Sequence, residues 1–341
     1  MDYPIEIHGL NKVFYHSPHR RGGLFAKLLN YLAVKREKLV VFDSFNLKVR
    51  RGEIYCLLGP NGSGKTTLIR ILSTTMLPDS GKALINGLDV AESKNKDNIS
   101  ASIGVILGER SRSFYWRLTA RQNLDFYADL YELDERQKKE RVDYLLESVG
   151  LGERKDDSLF SFSSGMLNRL AIARAFIHSP DILLLDEFMV NLDPKASADT
   201  KDVIKNLAKK EQKTVLLTSN NAQEAELLGD RIGILYKGKM AVEGSAEELK
   251  RRFGGHETTI RLSFGKLHDA NLAESLKGVP EITSVDAGKN VVALKTTDAS
   301  VGLERAMHLL KSKGADIRNI ELLPPSLEAV FINVTKEGNN A

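Results

Sequence analysis

The sequence contains a single cysteine, Cys56, which excludes an intrachain disulfide and any cysteine-rich metal site. Its position in the apolar run Ile-Tyr-Cys-Leu-Leu reads as that of a small buried hydrophobe. No apolar run reaches the roughly 18 residues that a membrane span needs. The opening MDYPIEIH has no cationic stretch followed by an apolar one, so nothing in it indicates secretion and the chain is expected in the cytosol. A net charge of +4 is too small to argue for a nucleic-acid partner, and none is expected.

Against these absences stands an ordinary globular composition, 42% hydrophobic and 28% charged, which sets wholesale disorder aside. At about 150 residues per domain, 341 residues allow two or three domains, each able to bury a core. Charge is unevenly spread: from Lys12 to Lys38 there are seven Lys or Arg residues against one acid, Glu37.

Residues 4–15 and 39–58 read as strands of an antiparallel sheet, with Arg51-Gly52 as a turn. Between them Leu24, Phe25, Leu28, Leu29 and Leu32 recur at helical spacing opposite Lys27 and Asn30. This basic amphipathic insertion, 16–38, is either a surface packing element or a helix lying near anionic lipid or a membrane chain. Helical patterns run from Thr119 to Val149 and from Leu167 to Ile177. DILLLDEF and KTVLLTS suit strands buried on both faces of a parallel sheet.

Beyond Gly254-Gly255 the order becomes β-α-β-β-α-β with a final helix in SLEAVFINVT, the ferredoxin-like order. The expected fold is therefore an α/β nucleotide-binding core over 1–254, with an antiparallel flank and a helical subdomain at about 100–175. An α+β ferredoxin-like domain is expected over 255–341.

Gly59, Pro60, Asn61, Gly62, Ser63, Gly64, Lys65, Thr66 and Thr67 match the P-loop pattern, after a strand and before a helix, a context that an ordinary glycine-rich turn lacks. Glycines let successive backbone N–H groups face a phosphate, and the following helix N-terminus adds positive potential. Lys65 is suited to the β/γ-phosphates and Thr66 to Mg²⁺, so ATP and Mg²⁺ are the expected ligands. Downstream, the apolar run Ile182 to Leu185 ends in Asp186 and Glu187. Asp186 is suited to hold Mg²⁺ or its waters, and Glu187 to orient or deprotonate an attacking water.

Phe162, Ser163, Ser164, Gly165 and Met166, followed by LNRLAIARA and the acidic strand end, resemble the signature of ABC-family ATPases. The resemblance covers nearly the whole chain. It implies that Ser163, Ser164, Gly165 and Met166 cover the γ-phosphate held by an opposite subunit, in a head-to-tail homodimer or heterodimer of ATPase chains. It implies further that Asn191 to Pro194, with Asp193, contact the partner, and that Phe14 stacks on adenine, with Tyr15 the alternative. The order of cassette and C-terminal domain is similar to subunits that drive separate multi-span membrane chains in drug-resistance and sodium-extrusion exporters. That places the chain peripherally at the cytoplasmic face of the membrane. Phe114, Tyr115 and Trp116 would meet the membrane chains, or belong to the core.

Two positions depart from the family pattern. Glu109 follows Gly108 where a glutamine is usual, and a carboxylate there is still able to bind the metal ion. Asn220 stands where a histidine usually contacts the γ-phosphate; it can donate a hydrogen bond but carries no charge. Slow hydrolysis is the expectation. The competing readings are a soluble non-transport ABC ATPase, which usually has two cassettes or long coiled coils, and a hydrolysis-impaired partner of a second ATPase chain.

Overall fold

Alternating apolar residues make the first two strands one face of a core. In the computed structural model β1 (Ile5–His16) pairs antiparallel with β2 (Glu37–Val49), Ile5 opposite Val49 and Ile7 opposite Leu47, all four buried. The structure describes residues 2–16, 37–108, 114–189, 192–254, 258–265, 272–288, 290–323 and 325–340. The amphipathic helix expected within 16–38, the metal-binding role of Glu109 and the placement of Asn191 fall outside the described residues.

The five-residue run Ile-Tyr-Cys-Leu-Leu forms β3 (Ile54–Leu58), buried throughout, and the loop after it leads into α1 (Lys65–Leu72). β4 (Ser80–Ile85) and β5 (Leu88–Asp89) complete an antiparallel sheet of order β2-β1-β4-β5. The next elements are α2 (Lys96–Ser102), β6 (Ile103–Ile106), α3 (Ala120–Leu130), α4 (Glu135–Ser148) and α5 (Ser164–Ala175). Thr119 with Gln122, and Asp134 with Gln137, form capping boxes that start α3 and α4, each cap contributing about 1 kcal/mol. Within residues 100–175, therefore, three helices follow a strand, β6, that belongs to the central sheet.

That sheet also contains β7 (Ile182–Asp186), β8 (Thr214–Ser219), β9 (Arg231–Tyr236) and β10 (Lys239–Gly244), in the order β10-β9-β3-β8-β7-β6. β3 is parallel to β8 and β9, and β7 to β6 and β8. Every residue of β3, β7 and β8 is buried, as strands covered on both faces should be. α6 (Pro194–Lys210) and α7 (Ala222–Leu228) connect the later strands.

The chain divides into two compact units, Met1–Glu243 and Gly244–Ala341. The division lies ahead of Gly254-Gly255 because α8 (Ala246–Phe253) packs within the second unit. Its partner there is the last helix, whose Asn333 donates to the carbonyl of Phe253 at 3.1 Å. The second unit contains β11 (Thr258–Phe264), α9 (Leu272–Lys277), β12 (Ile282–Ala287), β13 (Val291–Thr296), α10 (Ala299–Ser312), β14 (Ile317–Leu323) and α11 (Leu327–Asn340). Its antiparallel order, β12-β13-β11-β14, is ferredoxin-like. Ile260, Leu262, Phe264, Val292 and Leu294 form its core with Leu276, Ala306 and Leu310 from the helices.

Candidate functional site

Parallel pairing in register brings the C-terminal ends of β3, β8 and β7 level: Leu58 lies opposite Ser219, and Asp186 opposite Thr218. In an open α/β sheet this carboxyl edge is where ligands bind. The loop from Gly59 to Gly64 starts there, its first N–H donating to the carbonyl of Ser219 at 3.1 Å. Gly64 has φ 110° and a Cβ there would approach Phe42 and Val41 to 2.9 Å, so no other residue fits. Gly64 also precedes α1 without a side-chain cap, which leaves first-turn N–H groups directed at the loop.

Lys65 is 4% exposed and folds back over this loop. Its Nζ donates to the carbonyls of Gly59 (2.8 Å) and Pro60 (3.1 Å) and lies 3.2 Å from Glu187 Oε1. Glu187 reaches that position through a left-handed backbone, φ 45°, uncommon for a side chain of this kind and concentrated at functional sites. Its N–H donates to the carbonyl of Thr218 at 3.1 Å. Asp186, 4% exposed, accepts from Thr66 Oγ1 at 2.7 Å and from Thr218 Oγ1 at 2.6 Å. Asn220 donates to Asn61 Oδ1 at 3.2 Å. The Ser63 hydroxyl is buried inside the loop without a hydrogen-bond partner. Gly62 turns with φ 80°, and Thr67 is half-buried at the start of α1.

A second cluster forms where α5 meets α6. Ser163 caps α5, its Oγ accepting from the N–H of Met166 at 3.3 Å. Ser164 is exposed. A Cβ at Gly165 would lie 2.7 Å from that of Ala196, so this glycine permits the two helices to touch. Asp193 caps α6 by accepting from the N–H of Ala196 at 2.9 Å. Ser163, Ser164, Gly165 and Met166 thus stand beside Asp193.

Phe14 is half-buried and packs against the core, with Lys12 Nζ 5.5 Å from its ring, whereas Tyr15 is exposed. Lys12 lies opposite Phe42, the residue that bounds Gly64, so Phe14 is two positions along the strand from a neighbour of the loop. Gly108 lies beside the strand end, its Cβ position 3.8 Å from the carbonyl of Asp186. The aromatic trio divides: Phe114 is buried under Arg174, Tyr115 is exposed against Phe126, and Trp116 sits 5.7 Å from the exposed ring of Phe160.

Thr218 is the residue that sequence reasoning missed. Its signal was its place at the end of an apolar strand, immediately before Ser219 and Asn220. Together the loop N–H groups, Lys65 and the Ser63 hydroxyl fit a polyphosphate. The oxygens of Asp186 and Thr66 fit a hard divalent cation that keeps water and phosphate in its remaining positions. Among the described residues no group of three His, Cys, Asp or Glu side chains offers a closed metal cage.

Residues 42–190 match the ABC transporter family and residues 244–335 the C-terminal domain of DrrA1-3-like ATP-binding proteins. The daunorubicin resistance ATP-binding protein DrrA3 of Streptomyces coeruleorubidus is 34% identical over 294 residues, 86% of this chain and 90% of that protein. The linearmycin resistance ATP-binding protein LnrL of Bacillus subtilis is 32% identical over 307 residues, 89% and 95% of the two chains. Among solved structures, cbiO1 from Clostridium perfringens, part of the ABC transporter complex cbiONQ, superposes with a TM-score of 0.62 at 23% identity. That match covers 74% of this chain and 92% of that one.

Proposed function

Because the chain belongs to the ABC transporter ATP-binding family, with a DrrA-like C-terminal domain, we propose that it is the ATPase subunit of a membrane exporter, powering transport by ATP-driven closure of two cassettes. Two relatives are named for antibiotic resistance, which supports the exporter reading. Among the described residues no helix is long and apolar enough to cross a membrane. The transport path is assigned to separate multi-span membrane subunits, with this chain at their cytoplasmic face. The nucleotide-binding domain is assigned to the first unit and dimer support to the second.

One observation carries the reading: Lys65, Thr66, Asp186 and Glu187 converge where β3 and β7 end. Lys65 binds the β/γ-phosphates, and the N–H groups of Gly62 to Thr66 orient them. Mg²⁺ would be held by Thr66 and Asp186, and when bound it neutralises phosphate charge. Glu187 accepts the proton of the attacking water. Asn61 and Asn220 flank the terminal phosphate, Phe14 stacks on adenine, and Ser163, Ser164, Gly165, Met166 and Asp193 of a second ATPase chain close the site. Tyr115, Trp116 and Phe160 offer the membrane subunits an aromatic contact.

Purified Lys65→Ala protein should lose tight Mg-ATP binding and hydrolysis together. Retention of parental affinity would overturn the assignment of this loop. The transporter reading is checked by isolating the chain from its native membrane: a multi-span protein should accompany it, and purification without one would favour a non-transport ATPase. Asn220 favours a second, narrower reading in which turnover is slow and a more competent ATPase chain completes the pair.

A further inference from the structure

The sheet of the second unit has two edges of different character. β12 carries Thr283, Ser284, Asp286 and Ala287 at its exposed positions, three of the four polar, and a register irregularity between Ile282 and Ser284. Polar edges interrupted in this way resist pairing with other chains. β14, on the other edge, runs seven residues with Arg318 to Leu322 all exposed, Ile320 at 38% and Leu322 at 52%. Its irregularity lies at the start, near Ile317, so the remainder is regular.

The apolar pair on β14 is an extension of the core layer. Ile320 lies opposite Leu262 and Leu322 opposite Ile260, and residues directly opposite in an antiparallel pair share a face. Leu262 and Ile260 are fully buried beneath Leu276, Ala306 and Leu310. The apolar face therefore continues past its helices onto an edge whose outward N–H and C=O groups have no strand beside them among the described residues.

We propose that β14 is a self-association edge, which pairs antiparallel with β14 of a second copy about Ile320 and joins two four-stranded sheets into one. The register centred on Ile320 is the one that pairs all seven residues of the strand, and its side chains are compatible with that pairing. Centring on Ile320 sets Ile320 against itself, Asn319 against Glu321, and Leu322 against the aliphatic stem of Arg318. An amide faces a carboxylate twice, and no like charges meet. Centring on Arg318 sets two guanidinium groups opposite each other, and centring on Glu321 sets two carboxylates opposite, both destabilising. Centring on Asn319 sets Ile317 against Glu321 and Ile320 against Arg318. A symmetric homodimer is the assembly this two-fold pattern serves.

A seven-residue edge falls well short of the roughly 1,200 Å² that sustains a specific complex alone. It acts as a tether, raising the local concentration of one cassette near the other. The pairing needs no nucleotide, so it stands apart from the reading of the ATP site.

Disulfide trapping in the full chain tests it. Cys56 is fully buried, so an introduced thiol is the reactive one. Antiparallel residues directly opposite have Cα atoms about 4.5–5.5 Å apart, inside disulfide range. Without nucleotide, I320C should cross-link to itself at least about tenfold faster than V291C, an exposed position on β13. N319C mixed with E321C should cross-link faster than either alone. Adding K65A to I320C should leave its cross-linking unchanged. Equal rates for I320C and V291C, no gain on mixing N319C with E321C, or trapping that appears only with ATP would each overturn the proposal.

Discussion

Asn220, at the end of β8, donates its side-chain amide to Asn61 of the P-loop at 3.2 Å. A neutral amide therefore ties the end of β8 to the glycine-rich loop that we propose holds phosphate. The bond orders the loop, and in the proposed reaction neither partner would carry a charge to answer the negative charge developing on the phosphate.

Asn220→His should accordingly raise kcat by about tenfold, the equivalent of about 1.4 kcal/mol of transition-state stabilisation, with nucleotide affinity little changed. Steady-state hydrolysis with purified protein decides it. An unchanged turnover would mean that the amide is not what limits the chemistry.

Glu187→Gln separates binding from hydrolysis. The amide keeps the shape and the left-handed backbone position but is unable to accept a proton, so kcat should fall at least about 100-fold while Mg-ATP remains bound. Removing the carboxylate 3.2 Å from Lys65 also frees that cation for phosphate, so affinity should hold or rise. Hydrolysis at the parental rate would remove Glu187 from the chemistry.

That Lys65, Thr66, Asp186 and Glu187 meet was legible in the sequence, because the proposed phosphate chemistry requires particular residues at fixed offsets. Gly62 and Gly64 need left-handed backbone, Lys65 and Thr66 follow on the helix, and the run before Asp186 could only be a buried strand. The second unit was legible for a related reason: glycine-bounded apolar runs of distinct period gave its element order. What escaped was what depends on contacts between distant segments. A threonine at a strand end is ordinary until β7 pairs with β8 and turns its hydroxyl onto Asp186. β6 is four residues long among helical patterns, too short to announce itself as a strand of the central sheet. That α8 packs within the second unit depends on Asn333, far along the chain.

Thr218→Val tests that hydroxyl. The substitution keeps the shape but leaves one buried oxygen of Asp186 without its 2.6 Å donor, which should cost about 1–3 kcal/mol of stability. The loosened carboxylate should also raise the Mg²⁺ concentration needed for half-maximal hydrolysis. Thr218→Ser should restore both. Recovery of stability without recovery of the Mg²⁺ dependence would show that Thr218 supports the fold but not the metal.

Arg141 anchors the far end of α5. Its guanidinium meets the Glu211 carboxylate at 2.8 and 2.9 Å and also donates to the carbonyls of Phe176 and Ile177. Both charged groups are largely buried, at 16% and 13% exposure. Breaking such a pair on one side leaves an uncompensated charge, so Arg141→Met should destabilise by about 3 kcal/mol. Arg141→Lys, which keeps the charge but not the two-pronged geometry, should recover only part of that. Urea denaturation gives both values.

His178 makes the fold sensitive to mild acid. Its ring stacks on Tyr131 at 3.7 Å, and Nε2–H donates to the carbonyl of Ile103 at 3.1 Å, leaving Nδ1 buried without a partner. Protonation would place a second N–H where nothing accepts it. Burial pushes the pKa down to about 4; the Ile103 carbonyl opposes that shift, and the nearby cations Arg141 and Lys213 add to it. The unfolded ring titrates near ~6.5. Above that value neither state carries the proton and the stabilisation is complete. Between about 6.5 and 4 the unfolded chain binds the proton and the folded chain does not, so stability falls with pH. Allowing for solvent screening at its partly exposed edge, the loss from pH 7.5 to 4.5 should be about 1–2 kcal/mol. Urea unfolding of parent and His178→Phe at the two pH values isolates it, because every other acid-sensitive group is common to both. The parent should lose more stability than the variant by that amount, and equal losses would acquit His178.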